Sequence, residues 1–378
     1  MEINKFSVVG AGTMGHAIAE LAAIAGYDVW LNDVSEEILN RARERIKWSL
    51  EKLREKGKVR EVEEVLSRIR TTTDQEKALR DSDFVIEAII EDVEAKKKLF
   101  SKADSLISKE GVLASNTSSI PITEIAQATK RPERVIGMHF FNPPVLMPSV
   151  EVIMGKSTSQ ETLEKALVVS NRMGKEPIIV KKDVVGFIVN RILYRVYDIA
   201  CWLADNGFSI EDIDATAIHE LGFPMGVFIL RDYAGLDVEE NVMKIMVERG
   251  FELYSCREFN RRVRAREFGV KSGKGFYSYP EPGKYVKPSI PKERAGKVKG
   301  ISLISPAINE TAMFLREGIT TPEDVGKACR LGLGWPKSTL DYLKEYGVRE
   351  VVEELRRLKD LTKLNHYEPD KYLVEMVR

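Results

Sequence analysis

The sequence predicts an α/β amino-terminal domain built on a parallel sheet, followed by an all-α carboxyl-terminal part. Three observations lead to this fold class. Short apolar segments alternate with longer amphipathic segments up to about residue 182, as in repeated strand–helix–strand units. A glycine-rich turn separates the first apolar segment from the first helical one. From Asp183 onward, apolar residues recur at helical spacing.

The first element is a strand that runs into a turn with three glycines, in "FSVVGAGTMGHAIAE". Gly10 would allow the tight turn, and Gly12 would let the backbone approach a pyrophosphate with no Cβ in the way. Gly15 would let the helix pack closely on the strand. Backbone N–H groups at the start of that helix can bind the pyrophosphate. The spacing therefore predicts a dinucleotide-binding domain of the Rossmann type.

An acidic residue ends the next strand, "DVWLND", as this motif requires. Asp33 can accept hydrogen bonds from both ribose hydroxyls and would repel a 2′-phosphate, so NAD is favoured over NADP. We expect Thr13 and Met14, within the glycine turn, to contact the cofactor too. The alternative is that the glycines only turn a corner.

Polar side chains follow three further strands, "DFVIEAIIED", "EGVLASNTSS" and "RVIGMHFFN". Ligands of open parallel sheets bind outside the carboxyl ends of the strands. Glu91, Ser118 and His139 are therefore expected on one rim. His139 is one of only four histidines. Its simplest alternative role is a core imidazole satisfied by one backbone hydrogen bond.

Composition narrows the function classes. The chain of 378 residues is 43% apolar, and its 58 basic residues balance its 58 acidic ones. This balance gives no electrostatic case for nucleic acid or an anionic membrane. No apolar run reaches the roughly 18 residues of a transmembrane helix, and the first residues lack a signal-peptide pattern. The three scattered cysteines predict reduced thiols, a cytoplasmic location and no metal site.

Together, the motifs "GAGTMG", "VIEAIIED", "SNTSS", "HFFNP", "VEVI" and "DVVGFIVNR" resemble the 3-hydroxyacyl-CoA dehydrogenase family. The resemblance covers roughly residues 1 to 290. It implies NAD-dependent, reversible oxidation of an (S)-3-hydroxyacyl-CoA to the 3-oxoacyl-CoA, for a short acyl chain such as 3-hydroxybutyryl. It also implies metabolism of fatty acids by β-oxidation.

The resemblance assigns site residues position by position. His139 matches the catalytic histidine, and Glu151 matches the acid paired with it. Ser118 and Asn190 match catalytic-site residues that hydrogen-bond the substrate, and Asn142 matches a further active-site amide. A second group matches contacts to the cofactor: Asp33, Glu91, Lys96, Ser118, Asn142 and Lys271.

Two residues of the charged helical segment after Asp33 match contacts to coenzyme A. These are Ser49 and Lys56. The alternative for this segment is a solvated helical hairpin.

In physical terms, oxidation of a secondary alcohol needs a base for the O–H proton while the hydride leaves. Histidine has a suitable unperturbed pKa for this work near pH 7. Glu151 could orient His139 if the chain bends back after the prolines that follow "HFFN".

The helical part is predicted to hold two copies of one unit. We place the NAD-binding domain at residues 1–182, a helical substrate and dimerisation domain at 183–280, a linker at 281–300 and a degenerate second copy at 301–378. "ETAMFLREGITTPEDVGKACRLGLGWPKS" repeats "DIACWLADNGFSIEDIDATAIHELGFPMG" at constant offset. Ser302 replaces Asn190, so the second copy lacks the active-site amide. Coincidental helical similarity is the alternative.

Shorter family members end near "GKGFY" and pair through their helical domains. We therefore hypothesise that the second copy packs on the first, that it covers this surface and that the chain is monomeric. Within the first copy, Ser209 is the expected N-cap of a helix. Cys201 and His219 are expected to pack or to face solvent.

Three other interpretations stay open. The substrate could be a 3-hydroxy acid without coenzyme A. The chain could be a catalytically silent, NAD-binding or structural homologue. It could also belong to a larger assembly in which a hydratase or thiolase lies on another chain.

Overall fold

The computed structural model describes residues 3–377. The chain divides into two compact units, Met1–Phe187 and Ile188–Arg378. The amino-terminal unit contains an eight-stranded sheet with helices, and the carboxyl-terminal unit is helical. The predicted fold class is thus confirmed. No helix within residues 3–377 has the length and apolar character to cross a membrane.

The sheet of the amino-terminal unit has the strand order β3-β2-β1-β4-β5-β6-β7-β8. Strands β1 to β6 are parallel, whereas β7 runs antiparallel to β6 and β8 runs parallel to β7. Their bounds are β1 Phe6–Val9, β2 Val29–Asn32, β3 Ile69–Thr72, β4 Phe84–Glu87, β5 Val112–Ser115, β6 Val135–Phe140, β7 Ser149–Met154 and β8 Glu176–Val180.

The helices of this unit connect the strands and cover the sheet. They are α1 Gly15–Ile24, α2 Glu36–Glu55, α3 Val62–Ser67, α4 Gln75–Leu79, α5 Val93–Asp104, α6 Ile122–Ala126 and α7 Gln160–Arg172, with a 3-10 turn at Pro132–Arg134. The charged helical segment that was expected after Asp33 consists of helices α2 and α3. Helix α2 buries one apolar stripe, because its apolar residues recur every three or four positions.

The glycine turn is as tight as the sequence predicts. Gly10 has φ +99°, and a Cβ there would lie 2.4 Å from the carbonyl oxygen of Ala88. A Cβ on Gly15 would lie 1.7 Å from the carbonyl oxygen of Gly10. Any other residue at these positions would push β1, β4 and α1 apart.

The carboxyl-terminal unit is built from ten helices within the described residues. They are α8 Val189–Asp205, α9 Ile210–His219, α10 Val227–Ala234, α11 Leu236–Glu248, α12 Arg257–Arg264, α13 Gly300–Arg316, α14 Pro322–Lys327, α15 Thr339–Tyr346, α16 Val348–Thr362 and α17 Lys371–Val377. Short 3-10 turns lie at Val270–Ser272, Lys292–Arg294 and Asn365–Tyr367, and a π turn lies at Ala328–Gly332. Ser209 caps α9 through the backbone N–H of Asp212, as predicted.

Equivalent residues of the two proposed copies contact each other in this unit. Helix α8 packs on its counterpart α13. Phe223 and Trp335 stack with ring centroids 4.1 Å apart. A Cβ on Gly222 would lie 3.1 Å from the Pro336 ring, and one on Gly334 would lie 3.6 Å from the ring of Pro224. Such reciprocal contacts are typical of a two-fold interface between like subunits.

Buried ion pairs join the same two segments. The Glu310 carboxylate of α13 receives Arg191 and Arg195 of α8, with 2.7 Å between Arg195 Nε and Glu310 Oε2. Asp198 of α8 also contacts the ring of His366, in the 3-10 turn Asn365–Tyr367, with 2.7 Å between Oδ2 and Nε2. The two arginines and Glu310 restrict how α8 and α13 can slide along each other.

The expectation of three reduced cysteines is wrong for two of them. Cys201 and Cys256 form a disulfide, with Cα atoms 5.4 Å apart. They are 55 residues apart in sequence, but α8 packs against α12, whose N-cap is Cys256. Cys329 is a free, buried thiol whose pKa burial raises to about 11.

A buried carboxyl group on α1 provides a test of this packing. Glu20 is 1% exposed, and its Oε1 has no hydrogen-bond partner among residues 3–377. Burial raises the pKa of Glu20 from 4.5 to about 7, although a hydrogen bond with Ser49 of α2 lowers it in part. The unfolded chain therefore loses this proton at lower pH than the folded protein, and the stability cost of Glu20 grows between pH 4.5 and 7.

Glu20→Gln should raise the free energy of unfolding by about 1–3 kcal/mol above pH 7, since it removes the buried charge. The gain should vanish near pH 4, where both states are protonated. Denaturant unfolding across this pH range measures it, with exposed Glu37→Gln as the control. A gain that does not depend on pH would contradict this explanation.

Candidate active site

The pairing of β6 with β7 brings a histidine and a glutamate together. The antiparallel register sets His139 directly opposite Glu151, so both side chains extend from the same face of the sheet. His139 Nδ1 lies 2.7 Å from Glu151 Oε2. His139 is 5% exposed and Glu151 is fully buried. The bend that this pair requires is formed by residues 141–148.

The surroundings of this pair define how the imidazole can act. The rings of Phe141 and Phe187 lie 5.0 and 5.8 Å from the ring of His139. An ionised Glu151 accepts a hydrogen bond, which assigns the hydrogen to Nδ1 of His139. Nε2 then carries the lone pair, and it can accept a proton from a bound alcohol. We call His139 and Glu151 the dyad.

Glu91 organises the turn that follows β5. Its Oε1 accepts hydrogen bonds from Thr117 Oγ1 at 2.6 Å, from the Ser118 N–H at 2.9 Å and from Ser119. Burial opposes ionisation of Glu91, but Lys96 and these donors together lower its pKa. Glu91 and Ser118, which were both expected on one rim of the sheet, are therefore in direct contact.

Lys96, expected at the cofactor, is a buried residue of α5 between two carboxylates. Its Nζ lies 2.6 Å from Glu87 Oε1 and 3.2 Å from Glu91 Oε2. Burial lowers the pKa of Lys96, but the two carboxylates outweigh it and raise the pKa overall. In this arrangement the lysine holds Glu91 in place, and Glu91 in turn holds the turn of Ser118.

The glycine turn has the properties that NAD needs. A Cβ on Gly12 would meet no atom within 4 Å, so this exposed backbone can be approached closely. Met14 is the N-cap of α1, and Thr13 is exposed beside it. Asp33 Oδ2 accepts from the Ala11 N–H at 2.7 Å, which fixes the carboxylate next to the turn. These residues could hold a pyrophosphate and an adenosine ribose.

Three other predicted residues of this unit lie at its surface. Asn142 is exposed, two residues after β6. Ser49 is half-buried on α2 beside Glu20, and Lys56 is exposed at the carboxyl end of the same helix. They are open to a ligand, and their predicted binding roles stay predictions.

Two predicted residues belong to the carboxyl-terminal unit. Asn190 lies in the first turn of α8. Lys271 lies in a 3-10 turn and forms an ion pair with Asp237. Ser302, at the equivalent position of the second copy, donates to Glu354 Oε1 at 2.6 Å. The serine thus has a structural partner inside its own copy.

Sequence reasoning missed several residues that build this site. Glu87 accepts from Lys96 and from Ser115, and Asn116 Oδ1 accepts from the Phe140 N–H at 2.9 Å. Both lie at strand ends in quoted motifs, so their position could have indicated them. Lys175, which donates to the carbonyl of Pro144 after β6, gave no such signal. Within residues 3–377, no cluster of His, Cys, Asp and Glu could hold a metal ion.

Comparison with known proteins agrees with this geometry. Residues 5–184 match the model of the 3-hydroxyacyl-CoA dehydrogenase NAD binding domain. The model of the C-terminal domain of the same family matches residues 186–279 and 302–378. NAD is thus the cofactor.

The relatives differ in how much of the chain they cover, from about three quarters to more than nine tenths. A protein of Deinococcus radiodurans named "Probable 3-hydroxybutyryl-CoA dehydrogenase" is 42% identical over 279 residues, which are 73% of this chain and 100% of the relative. A fatty acid oxidation complex subunit alpha of Idiomarina loihiensis is 33% identical over 93% of this chain and 52% of its own length.

A solved structure extends the similarity to the whole fold. The crystal structure of 3-hydroxybutyryl-CoA dehydrogenase from Escherichia coli is 27% identical with a TM-score of 0.89. It covers 100% of this chain and 98% of that one. From the glycine turn to the second helical segment, this chain belongs to the 3-hydroxyacyl-CoA dehydrogenase family.

Proposed function

We propose that the protein oxidises (S)-3-hydroxyacyl-CoA to 3-oxoacyl-CoA with NAD, reversibly, and that its acyl chains are short, as in 3-hydroxybutyryl-CoA. The observation that carries this proposal is the 2.7 Å contact between His139 and Glu151 in a family member with an intact dinucleotide turn. Fatty-acid β-oxidation is the metabolism in which we place the reaction.

His139 is the general base of the proposed mechanism. Nε2 removes the proton of the C3 hydroxyl, and the resulting imidazolium is stabilised by the Glu151 carboxylate at Nδ1. Ser118 and Asn190 hydrogen-bond the C3 oxygen as it becomes a carbonyl, and Asn142 contributes a further amide. Phe141 and Phe187 limit water around the imidazole, which strengthens its hydrogen bond to Glu151.

When bound, NAD supplies the acceptor for the hydride. The protein residues that bind it in this proposal are those of the glycine turn with Asp33, Glu91, Lys96 and Lys271. Asp33 accepts from the ribose hydroxyls, and its charge disfavours a 2′-phosphate. Ser49 and Lys56 contact coenzyme A.

An assay with paired substrates separates this function from the alternatives. Acetoacetyl-CoA and acetoacetate are each offered with NADH or NADPH, and oxidation of the nicotinamide is followed by absorbance. Turnover of acetoacetyl-CoA with NADH supports the proposal. Turnover of acetoacetate alone would indicate a dehydrogenase of free 3-hydroxy acids, and no turnover would indicate a silent homologue.

We further propose that the duplicated helical region makes the chain monomeric. Equivalent residues of the two copies, 183–280 and 301–378, contact each other at α8 and α13. Like subunits of a dimer would contact each other at the same surface. The similarity to a fatty acid oxidation complex subunit supports a partner hydratase or thiolase.

The proposed location is the cytoplasm, for which the cysteines give no support. Disulfides are rare in cytosolic proteins, except in those of hyperthermophiles. The proposal of a cytoplasmic location therefore rests on the proposed reaction, which uses NAD and acyl-CoA.

His139→Ala should lower kcat by about 10²–10⁴, the usual loss for a missing general base. NADH affinity, measured by fluorescence titration, should stay unchanged, because the glycine turn is untouched. His219→Ala is the matched control, since His219 lies exposed at the end of α9. Near-normal turnover of the His139 variant would remove this residue from the mechanism.

Light scattering after size exclusion should give a mass near 42.8 kDa at micromolar concentration, the mass of one chain. The reason is that the second copy already covers the face of the first. A mass about twice as large, with cross-links between first copies of two chains, would contradict the internal pairing.

A further inference from the structure

A buried lysine lies against the loop that joins the two strands of the dyad. We name residues 141–148 the dyad loop. Lys175 is 6% exposed and lies between α7 and β8. Its Nζ is 2.7 Å from the carbonyl oxygen of Pro144 and 2.7 Å from that of Met147. Both acceptors belong to the dyad loop, so one side chain binds it at two points.

The dyad loop has few internal hydrogen bonds that could fix its conformation. Pro143, Pro144 and Pro148 have no N–H to donate. The N–H groups of Leu146 and Met147 both donate to the carbonyl of Pro143, which forms one turn. Lys175 donates to two further carbonyls of the loop, those of Pro144 and Met147. A buried carbonyl without a donor is unfavourable, so the lysine stabilises this conformation of the loop.

Stability alone does not account for a lysine at this position. Within residues 3–377, no carboxylate forms an ion pair with Lys175. Burial, assisted by the charge of Lys58, lowers the pKa of Lys175 to about 8. An unpaired buried ammonium is unfavourable. An amine and an ammonium both carry at least two N–H donors, so both carbonyls are satisfied in either state.

The dyad loop connects the two strands that carry the dyad. It begins directly after β6, which carries His139, and it ends directly before β7, which carries Glu151. Asn142, a proposed active-site amide, is its second residue. The backbone N–H of Glu176, next to Lys175, donates to Pro148 at 2.8 Å, so the end of the loop is held by the same segment.

We propose that Lys175 is a positioning residue for the proposed dehydrogenase reaction: its double hydrogen bond fixes the dyad loop and thereby the placement of Asn142 beside His139. This inference depends on the proposed function. It assigns to Lys175 no contact with substrate or cofactor.

The test compares Lys175→Met with Lys165→Met. Methionine keeps the length of the side chain and removes the donors. Lys165 is the matched control, because its Nζ also donates to a backbone carbonyl, that of Glu110, at 2.9 Å and away from the dyad loop. Both variants are measured for kcat and KM with acetoacetyl-CoA and NADH, and for Tm.

Lys175→Met should lower kcat/KM about 10- to 100-fold, the scale of a misplaced site group. Its Tm should also fall, because both carbonyls lose their donor, whereas the kcat/KM of Lys165→Met should stay within about twofold of the unmodified enzyme even where its Tm falls. Lys175→Arg, which keeps a charge and donors, should recover part of the activity. If Lys175→Met does not fold, Lys175→Arg replaces it in the comparison. A loss of kcat/KM larger than its loss of Tm accounts for supports the inference, and a proportional loss contradicts it.

Two results would overturn the inference. One is a folded Lys175→Met variant with normal kcat/KM. The other is a loss of activity that follows the loss of Tm in the same proportion for the variants of both lysines. If the unmodified enzyme does not turn over acetoacetyl-CoA, the proposed function fails instead, and the two failures are thus distinguishable.

Discussion

The antiparallel pairing of β6 with β7 is the constraint on which the rest of the site depends. It reverses the chain at the end of a parallel sheet and sets His139 opposite Glu151 with both side chains on one face. Slipping this register by one residue would turn one partner to the other face of the sheet. The residues that secure it lie on both sides: Asn116 binds the end of β6, and β8 pairs with β7.

The charges buried at the strand ends of the amino-terminal unit are compensated by opposite charges or by hydrogen bonds. Lys96 lies between Glu87 and Glu91, and Glu91 in turn gathers the N–H groups after β5. Such a network is rigid because removing one member leaves the others charged and unpaired. Glu20 and Lys175 differ, since within the described residues each is buried without an opposite charge. The first lies between helices, whereas the second lies against the dyad loop.

The sequence predicts the local parts of this structure well. The glycine turn, Asp33 and the strands ending near Glu91, Ser118 and His139 follow from patterns within about ten residues. The meeting of His139 with Glu151 could be stated only as a condition, because an eight-residue proline-rich connection has no turn signature that fixes a register.

Long-range contacts explain the remaining differences. The Cys201–Cys256 disulfide depends on the packing of α8 and α12, which spacing does not reveal. Lys175 in "RMGKEP" has the sequence of an ordinary surface turn, and its burial and its contacts with the dyad loop are visible only in the folded chain. Functional assignments for Asn190 and Lys271 came from the family resemblance, and they remain proposals.

The central claim is that Glu151 acts through His139, and a double-mutant cycle tests it most directly. Turnover of acetoacetyl-CoA is compared for Glu151→Gln in the unmodified protein and in the His139→Ala background. We predict a loss of kcat on the order of 10²-fold or more in the first case and less than about twofold in the second, because the orienting group has nothing left to orient. Equal losses in both backgrounds would contradict the account.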